Sequence, residues 1–182
     1  MLRMNSNLVN LQSVRGGAGN SLLALLVLFS IVVAGCGGHP KDASDWSYTP
    51  PDGFKQQEKQ ERGDTVFNGP MESGFPTNLR VKSGTNSVDN AEKIGKQTLV
   101  KVLALQGVTL KEQEPYTLAD SDCYTWQVTR KLQNGTLASQ RQFVVLKNGV
   151  AVLFTLTAPD STFSKWDQAL ADSLQSFKWG RS

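Results

Sequence analysis

The sequence predicts an α+β fold, in which an antiparallel β-sheet of about six to seven strands is flanked by two main helices. Two Asn-Gly pairs, at 134–135 and 148–149, separate runs of alternating residues, which is the pattern of hairpins in a C-terminal meander. Two other segments, 86–107 and 160–177, place apolar residues three and four positions apart, as amphipathic helices do. Together these patterns favour helices packed on an antiparallel sheet.

The segment before the first predicted helix contains short strands and turns. Pro50-Pro51-Asp52-Gly53 is a strong turn signal. The residues 69–76 are predicted to form a loop, and Leu79 and Val81 are predicted to share one face of the strand that follows. The predicted strands of this segment are 46–48, 54–59, 64–68 and 78–83.

Each predicted helix has a candidate N-cap. Asn86-Ser87 can cap the first helix, whose first turn holds Asp89 and Glu92, where the helix dipole favours acidic residues. Gly107 can end this helix, and Asp160 can cap the second one. The predicted apolar face of the first helix comprises Val88, Ala91, Ile94, Leu99, Val102, Leu103 and Leu105. That of the second, predicted to pack on the sheet, comprises Phe163, Trp166, Leu170, Leu174 and Phe177.

A meander of four strands is predicted between the two helices. Its strands are 108–118, 123–132, 140–147 and 150–158. Pro115 restricts the first strand to an edge, a bulge or an interruption, because proline cannot donate a ladder hydrogen bond. The last strand is almost wholly apolar, so we expect it at the centre of the sheet.

The first 35 residues are predicted to be a signal peptide. Arg3 and Arg15 are the only charged residues before Cys36, and they precede an uncharged, mostly apolar run of 15 residues at 21–35. A membrane-spanning helix needs about 20 such residues, whereas a signal peptide combines a basic start with a shorter apolar region. The competing interpretation, a permanent anchor helix, is disfavoured by the residues that end the run.

The run ends in Val33-Ala34-Gly35-Cys36, which resembles the lipobox of bacterial lipoproteins. The resemblance implies cleavage before Cys36, a diacylglycerol group on its thiol, and a further acyl chain such as palmitate on the new N-terminus. More than one chain gives a firm hold on a membrane, since each buried methylene contributes about 0.8 kcal/mol. Residues 36–45 are then the lipidated cysteine and a flexible tether, and residues 46–179 form a single domain.

The predicted location is the cell envelope, with a lipid anchor in a membrane. Gly37 follows the cysteine, whereas enterobacterial lipoproteins with Asp at that position tend to stay in the inner membrane. Gly37 therefore favours the periplasmic face of the outer membrane over the inner membrane.

Charge and the scarcity of reactive residues exclude several functions. Of the 19 basic side chains, 17 follow Cys36 together with all 16 acidic ones, so no basic excess supports nucleic-acid binding. His39, the only histidine, lies in the tether, which removes histidine-dependent triads and zinc sites from the core. Cys123 lies in a strand-like stretch that predicts a buried, inert thiol. We predict no catalytic residue, no metal site and no cofactor, and therefore no enzyme.

Both ends of the predicted domain resemble a known superfamily. The domain opens with Tyr48-Thr-Pro-Pro-Asp-Gly-Phe54 and closes with 163–179, an amphipathic helix that includes Phe177. With the order of elements, these features resemble the PsbP/DcrB-like superfamily over residues 46–179. Its members include an extrinsic subunit of photosystem II, a Ran-binding nuclear import factor and bacterial envelope lipoproteins. The resemblance implies a binding or assembly protein, but it supplies no contact residues.

Two functions are predicted from these observations. The first is a membrane-anchored, non-enzymatic module that binds or assembles another envelope protein. The alternative is a carrier or sensor of a small apolar ligand or lipid, with Trp126, Phe163 and Trp166 lining a pocket, although core packing explains the same side chains. Exposed candidates for contact are Lys55, Lys59, Arg62 and 71–75, but a solvated edge and an ordinary loop explain them better, so we predict no binding residues.

Overall fold

The structure is a computed structural model that describes residues 46–57, 64–72, 74–88, 90–132 and 134–180. The strands are β1 (Trp46–Ser47), β2 (Lys55–Gln56), β3 (Asp64–Glu72), β4 (Phe75–Thr85), β5 (Val108–Leu118), β6 (Ser121–Lys131), β7 (Leu137–Lys147), β8 (Val150–Pro159) and β9 (Lys178–Trp179). The helices are α1 (Ala91–Leu103) and α2 (Phe163–Leu174), and a single 3-10 turn at Asp160–Thr162 leads into α2.

Seven strands form one antiparallel sheet in the order β2-β3-β4-β8-β7-β6-β5. The predicted α+β class, the strand number and the four-stranded meander are thereby confirmed. The apolar β8 lies in the middle, and β5 with Pro115 lies at an edge, as predicted. β1 and β9 pair separately as a two-stranded sheet.

Both Asn-Gly pairs lie in hairpin connections, as predicted, but Asn134-Gly135 belongs to a longer connection between Lys131 and Leu137, and only Asn148-Gly149 forms a two-residue turn. Asn148 and Gly149 have φ of 51° and 75°, and Lys147 pairs directly with Val150. A two-residue turn with two positive φ angles matches the right-handed twist of the flanking strands. This turn fixes the register of β7 against the central β8.

One face of the sheet, here called the α2 face, is covered by α2. Alternate residues of the central strands point to it, among them Leu79 and Val81 of β4, as predicted. The apolar side of α2 packs against these residues and is buried as predicted, through Phe163, Trp166, Leu170, Leu174 and the following Phe177.

The opposite face, here called the α1 face, is covered in part by α1. Ile94 and Thr98 of the helix face Val144 and Leu153 of the sheet. Gly95 lies against the ring of Tyr124, because a Cβ placed there would be 2.2 Å from Cδ1 of that ring. The sheet is therefore buried from both sides near its centre.

The predicted loop at 69–76 is wrong. β3 continues to Glu72 and β4 already begins at Phe75, with a bulge in the pairing between Asn68 and Met71. The extension is held against α2, where the indole Nε1–H of Trp166 donates to Glu72 at 2.7 Å. Hydrogen bonds from Thr162 and Trp166 lower the pKa of Glu72. The turn-forming character of this segment is confined to the connection between Glu72 and Phe75, where Gly74 has a φ of 72°.

Both predicted N-caps are also wrong. The cap of α1 is Asn90, whose Oδ1 accepts from the backbone N–H of Lys93 at 2.9 Å, while Asn86 accepts from the N–H of Val88 instead. Asp160 accepts from Ser139 of β7 at 2.5 Å and starts the 3-10 turn, so that α2 begins later, at Phe163. The predicted role of Gly107 is wrong as well: α1 ends at Leu103 with Ala104 as its C-cap, and Gly107, with a φ of 75°, lies three residues beyond that cap.

The predicted strand 54–59 is shorter in the structure, where β2 comprises Lys55 and Gln56. Residues 58–63 lie outside the described part of the chain. Neither α1 nor α2 is long and apolar enough to span a membrane.

We expect Gly95→Ala to lower the free energy of unfolding by about 1–3 kcal/mol, because overpacking against the Tyr124 ring costs that much. The loss outweighs the gain of about 1 kcal/mol in helix propensity. Urea unfolding measures the change. Gly84→Ala is the matched control, since no atom lies within 4 Å of a Cβ at that position. An increase in stability for Gly95→Ala would contradict this packing.

Candidate functional site

The predicted lipidation site lies outside the described residues. This holds for Cys36 and for the lipobox residues Val33, Ala34 and Gly35, so their role stays a prediction. What the structure shows is the place where the predicted tether joins the domain, at Trp46. Any pull from an anchor at Cys36 would reach the fold there.

The join at Trp46 is fastened to the C-terminal end of the chain. Trp46 pairs with Trp179, and its ring lies 6.2 Å from that of Phe177. Two residues further on, the hydroxyls of Tyr48 and Ser173 are 2.7 Å apart. The first residues of the described chain are therefore bonded both to β9 and to α2.

The Tyr48–Phe54 motif has a structural explanation. The ring of Tyr48 packs edge-on against Phe154 of the central strand, with centroids 4.9 Å apart. The ring of Phe54 packs in the same manner on Trp166 of α2, at 5.5 Å. Between them, Gly53 adopts a φ of 83°, which favours glycine because it has no Cβ. The motif thus fixes two aromatic anchors against the core.

The thiol of Cys123 is buried on the α2 face, as the sequence predicts. Its residue is 4% exposed, and burial raises the pKa of the thiol to about 12. Since the thiolate is the nucleophile, a thiol in this state has little reactivity at neutral pH. Cys123 therefore serves as a small core side chain.

The predicted apolar pocket does not form from the residues proposed for it. Phe163 and Trp166 belong to the α2 face, whereas Trp126 lies on the α1 face, because its register position alternates with that of Cys123. The sheet separates the two sets of rings. The hypothesis that Trp126, Phe163 and Trp166 line one pocket is therefore wrong.

A small cavity lies between α1 and the sheet. Its volume is about 30 Å³, and it is lined by Lys82, Ser83, Gly84, Ile94, Thr98, Val144, Ala151 and Leu153. A single water molecule occupies about 30 Å³ in the liquid. This cavity is too small for an acyl chain.

A buried ion cluster on the α2 face escaped the sequence analysis. Arg141 of β7, which is 8% exposed, donates through Nε and Nη2 to the carboxylate of Asp167 at 3.0 and 2.8 Å. Its Nη2 also bonds Gln127 at 3.1 Å and pairs with Glu112. Burial alone lowers the pKa of Arg141, but the bonds and charges of Asp167 and Glu112 outweigh it and raise that pKa.

The Arg141 cluster joins four elements: β5, β6, β7 and α2. A guanidinium can bind a planar carboxylate through two parallel hydrogen bonds. Arg141 binds the carboxylate of Asp167 in this way. The Nε and Nη2 donors of Arg141 are used within the fold, so the cluster acts as a clamp. The sequence shows only that Arg141 lies within a predicted strand. It does not indicate which residues this arginine contacts.

Of the other candidate contact residues, Lys55 is exposed on β2, whereas Lys59 and Arg62 lie outside the described residues. Met71 is 64% exposed, but Phe75 is buried at 9%. Across the described part of the chain, no group of three or more His, Cys, Asp or Glu side chains is placed to hold a metal ion.

We expect Asp167→Asn to lower the free energy of unfolding by about 1.5–3 kcal/mol, the usual worth of a hydrogen bond to a charged group. The matched control is Asp172→Asn on the same helix, where the lost bond from Gln168 is exposed. Denaturant unfolding compares the two variants. Equal losses would contradict the clamp.

We also expect iodoacetamide to leave Cys123 of the folded chain unmodified at pH 8 and to alkylate it fully in guanidinium chloride. Thr109→Cys, at an exposed position of β5, should react in the folded state. Peptide mass spectrometry reads both sites. Reaction of Cys123 at the rate of the exposed control would show that the thiol is accessible.

Comparison with known proteins gives matches in structure alone: no family model and no curated protein matches the chain. The chain is similar to LpqN of Mycobacterium tuberculosis, a protein involved in cell envelope biogenesis, with a TM-score of 0.58 and 16% identity over 77% of this chain and 87% of LpqN. It is similar to CyanoP, the PsbP of Synechocystis sp. PCC 6803, with a TM-score of 0.51 and 15% identity over 81% of this chain and 98% of CyanoP. A third likeness is to PA94 of Pseudomonas aeruginosa, a protein of unknown function, with a TM-score of 0.53 and 12% identity over 68% and 94% of the two chains. The chain therefore has a PsbP-like fold.

Proposed function

We propose that the protein is a lipid-anchored, non-enzymatic binding module of the bacterial cell envelope. The observation that carries the proposal is the Val33–Cys36 tetrapeptide, which directly follows a short apolar run with a basic start. A thiol at the end of such a run suits attachment of diacylglycerol, and cleavage before it frees an amine for another acyl chain. Two or more chains hold a protein firmly on a bilayer.

The fold likeness supports the second half of the proposal. LpqN, which shares the fold, is involved in cell envelope biogenesis, and CyanoP is a PsbP protein. A fold does not fix a function, so these likenesses add to the anchor and do not replace it. A binding module of the cell envelope is consistent with the proposed anchor and with the fold likeness to LpqN.

The chemistry of the described domain supports binding over catalysis. Its most buried charged groups hold the fold together: Arg141 clamps β7 to α2, and Arg80 of β4 bonds the buried carboxylate of Asp64 on β3 through Nε at 2.8 Å. Groups engaged in this way are positioned for structure. The surfaces that face outward are the parts that can meet a partner.

The anchor places the domain at the periplasmic face of a membrane. Gly37 after the lipidated cysteine favours the outer membrane, as argued above for enterobacterial lipoproteins. The partner in this proposal is another envelope protein, which the domain meets at the membrane surface.

We expect Cys36→Ala to abolish the incorporation of radiolabelled palmitate into the protein in its host, because no acyl chain can be attached. The matched control is Cys123→Ala, which removes the other cysteine and should leave the labelling unchanged. Immunoprecipitation and autoradiography measure the label. Labelling of Cys36→Ala to the same extent as the unsubstituted chain would overturn lipid anchoring.

The binding half of the proposal is tested separately. The lipidated chain, purified from its own envelope in mild detergent after chemical cross-linking, should carry the same envelope protein in repeated preparations. A chain whose lipobox is replaced by the cleavage site of a soluble secreted protein should lose that cross-link, because it is released from the membrane that holds the partner. A lipidated chain that never cross-links to another protein would contradict a binding role.

A further inference from the structure

The exposed side of α1 combines exposed apolar residues with positive charge. Val100 is 69% exposed and Leu103 is 39% exposed. They lie three residues apart and therefore side by side on the helix. The surrounding exposed residues of this helix are Lys93, Lys96, Gln97 and Lys101.

The charge of this surface is positive. α1 contains three lysines and one acidic residue, Glu92, which pairs with Lys96 at 2.6 Å. Lys93 and Lys101 remain as a net charge of two on either side of Val100. Long lysine side chains can lie along an apolar surface and place their ammonium groups at the level of lipid phosphates.

The exposed side of α2, on the opposite face of the sheet, has the reverse character. This helix contains one lysine, Lys165, against Asp167 and Asp172. Its large apolar residues Phe163, Trp166, Leu170 and Leu174 are all buried in the core. The fold thus has one helix suited to an anionic surface and another that such a surface repels.

We propose that the outer surface of α1 docks on the anionic headgroups of the bilayer that holds the protein, with Val100 and Leu103 entering the interface. An amphipathic helix binds in this way through buried apolar area and attraction to anionic lipid. This inference rests on the proposed lipid anchor, which keeps α1 within reach of the membrane. Two apolar residues and a net charge of two are too few to hold an unanchored protein on a membrane. In an anchored protein they need only to orient the domain relative to the bilayer.

The chain length allows this orientation. Ten residue steps from Cys36 to Trp46 span at most about 35 Å when extended. Trp46 lies beside Phe177 on the α2 face, and a helix–sheet–helix stack is about 30 Å thick. An anchor at Cys36 can therefore lie in the bilayer while α1 faces it and α2 faces away. The surface left for a protein partner is then that of α2 and its neighbours.

An environment-sensitive probe tests the docking. The lipidated full chain with Val100→Cys and Cys123→Ala is labelled with a nitrobenzoxadiazole maleimide and reconstituted into vesicles. These contain either phosphatidylcholine alone or phosphatidylcholine with phosphatidylglycerol. We expect a blue shift of the emission in the anionic vesicles, reversed by high salt, because salt screens the lysines. The matched control carries the label at Ser164→Cys on the exposed side of α2 and should show no shift.

A charge variant strengthens the test. Lys101→Gln should reduce the ratio of docked to undocked protein about fivefold, the effect of removing one lysine from an anionic surface. Lys165→Gln on α2 should leave the ratio unchanged.

Vesicle flotation separates the two proposals. A chain that floats with the vesicles while its Val100 probe shows no shift would overturn α1 docking and leave the anchor standing. A blue shift that requires an added envelope protein, and not anionic lipid, would assign the surface to a protein and overturn the lipid. A chain that floats with neither vesicle would overturn both proposals.

Discussion

The structure depends on the burial of β8 from both sides. Every residue from Ala151 to Thr155 of this central strand is less than 9% exposed, although successive side chains point to opposite faces. Covering one face alone would leave half of them in water. A helix is therefore needed on each face, and α1 and α2 supply these layers. The two helices lie on opposite sides of the sheet, so their outer surfaces point in opposite directions. Since these surfaces differ in charge and in exposed apolar residues, the domain has two chemically different sides.

Local signals predicted the elements that depend on neighbouring residues. The Asn148-Gly149 turn, the edge position of the Pro115 strand and the buried side of α2 follow from turn chemistry, a missing donor and helical spacing. The predicted loop at 69–76 was too long: Met71 pairs with Pro76 and Glu72 with Phe75 inside the segment. The bond from Trp166 to Glu72 comes from a residue distant in the chain, which the sequence does not indicate. Helix starts failed for a similar reason: several Asn and Asp residues could cap, and packing decides among them.

The polar centre of β7 shows the same limit more sharply. Gln140, Arg141 and Gln142 are polar residues, yet they are 2%, 8% and 2% exposed. Their burial is tolerated because buried polar groups find partners: Gln142 donates to Gln140 at 2.6 Å, and Gln140 donates to Thr157 at 3.2 Å. Those partners lie on the same or a neighbouring strand, and the bond to Asp167 crosses from sheet to helix. By contrast, the stretch Val33–Cys36 that resembles a lipobox is short and contiguous, so it can be recognised without knowledge of the fold. The outer side of α1, with its lysines and exposed apolar residues, can be identified only once the buried side of the helix is known.

We propose that the domain is held at a bilayer through Cys36 and oriented by its two unlike sides. The acylation of Cys36 is central to this proposal, and its most direct test is the mass of the N-terminal peptide of protein taken from its native membrane. Acylation predicts a peptide that begins at residue 36 and carries diacylglycerol on the sulfur together with an amide-linked acyl chain. A peptide that contains residues before Cys36, or an unmodified Cys36, would contradict the proposal.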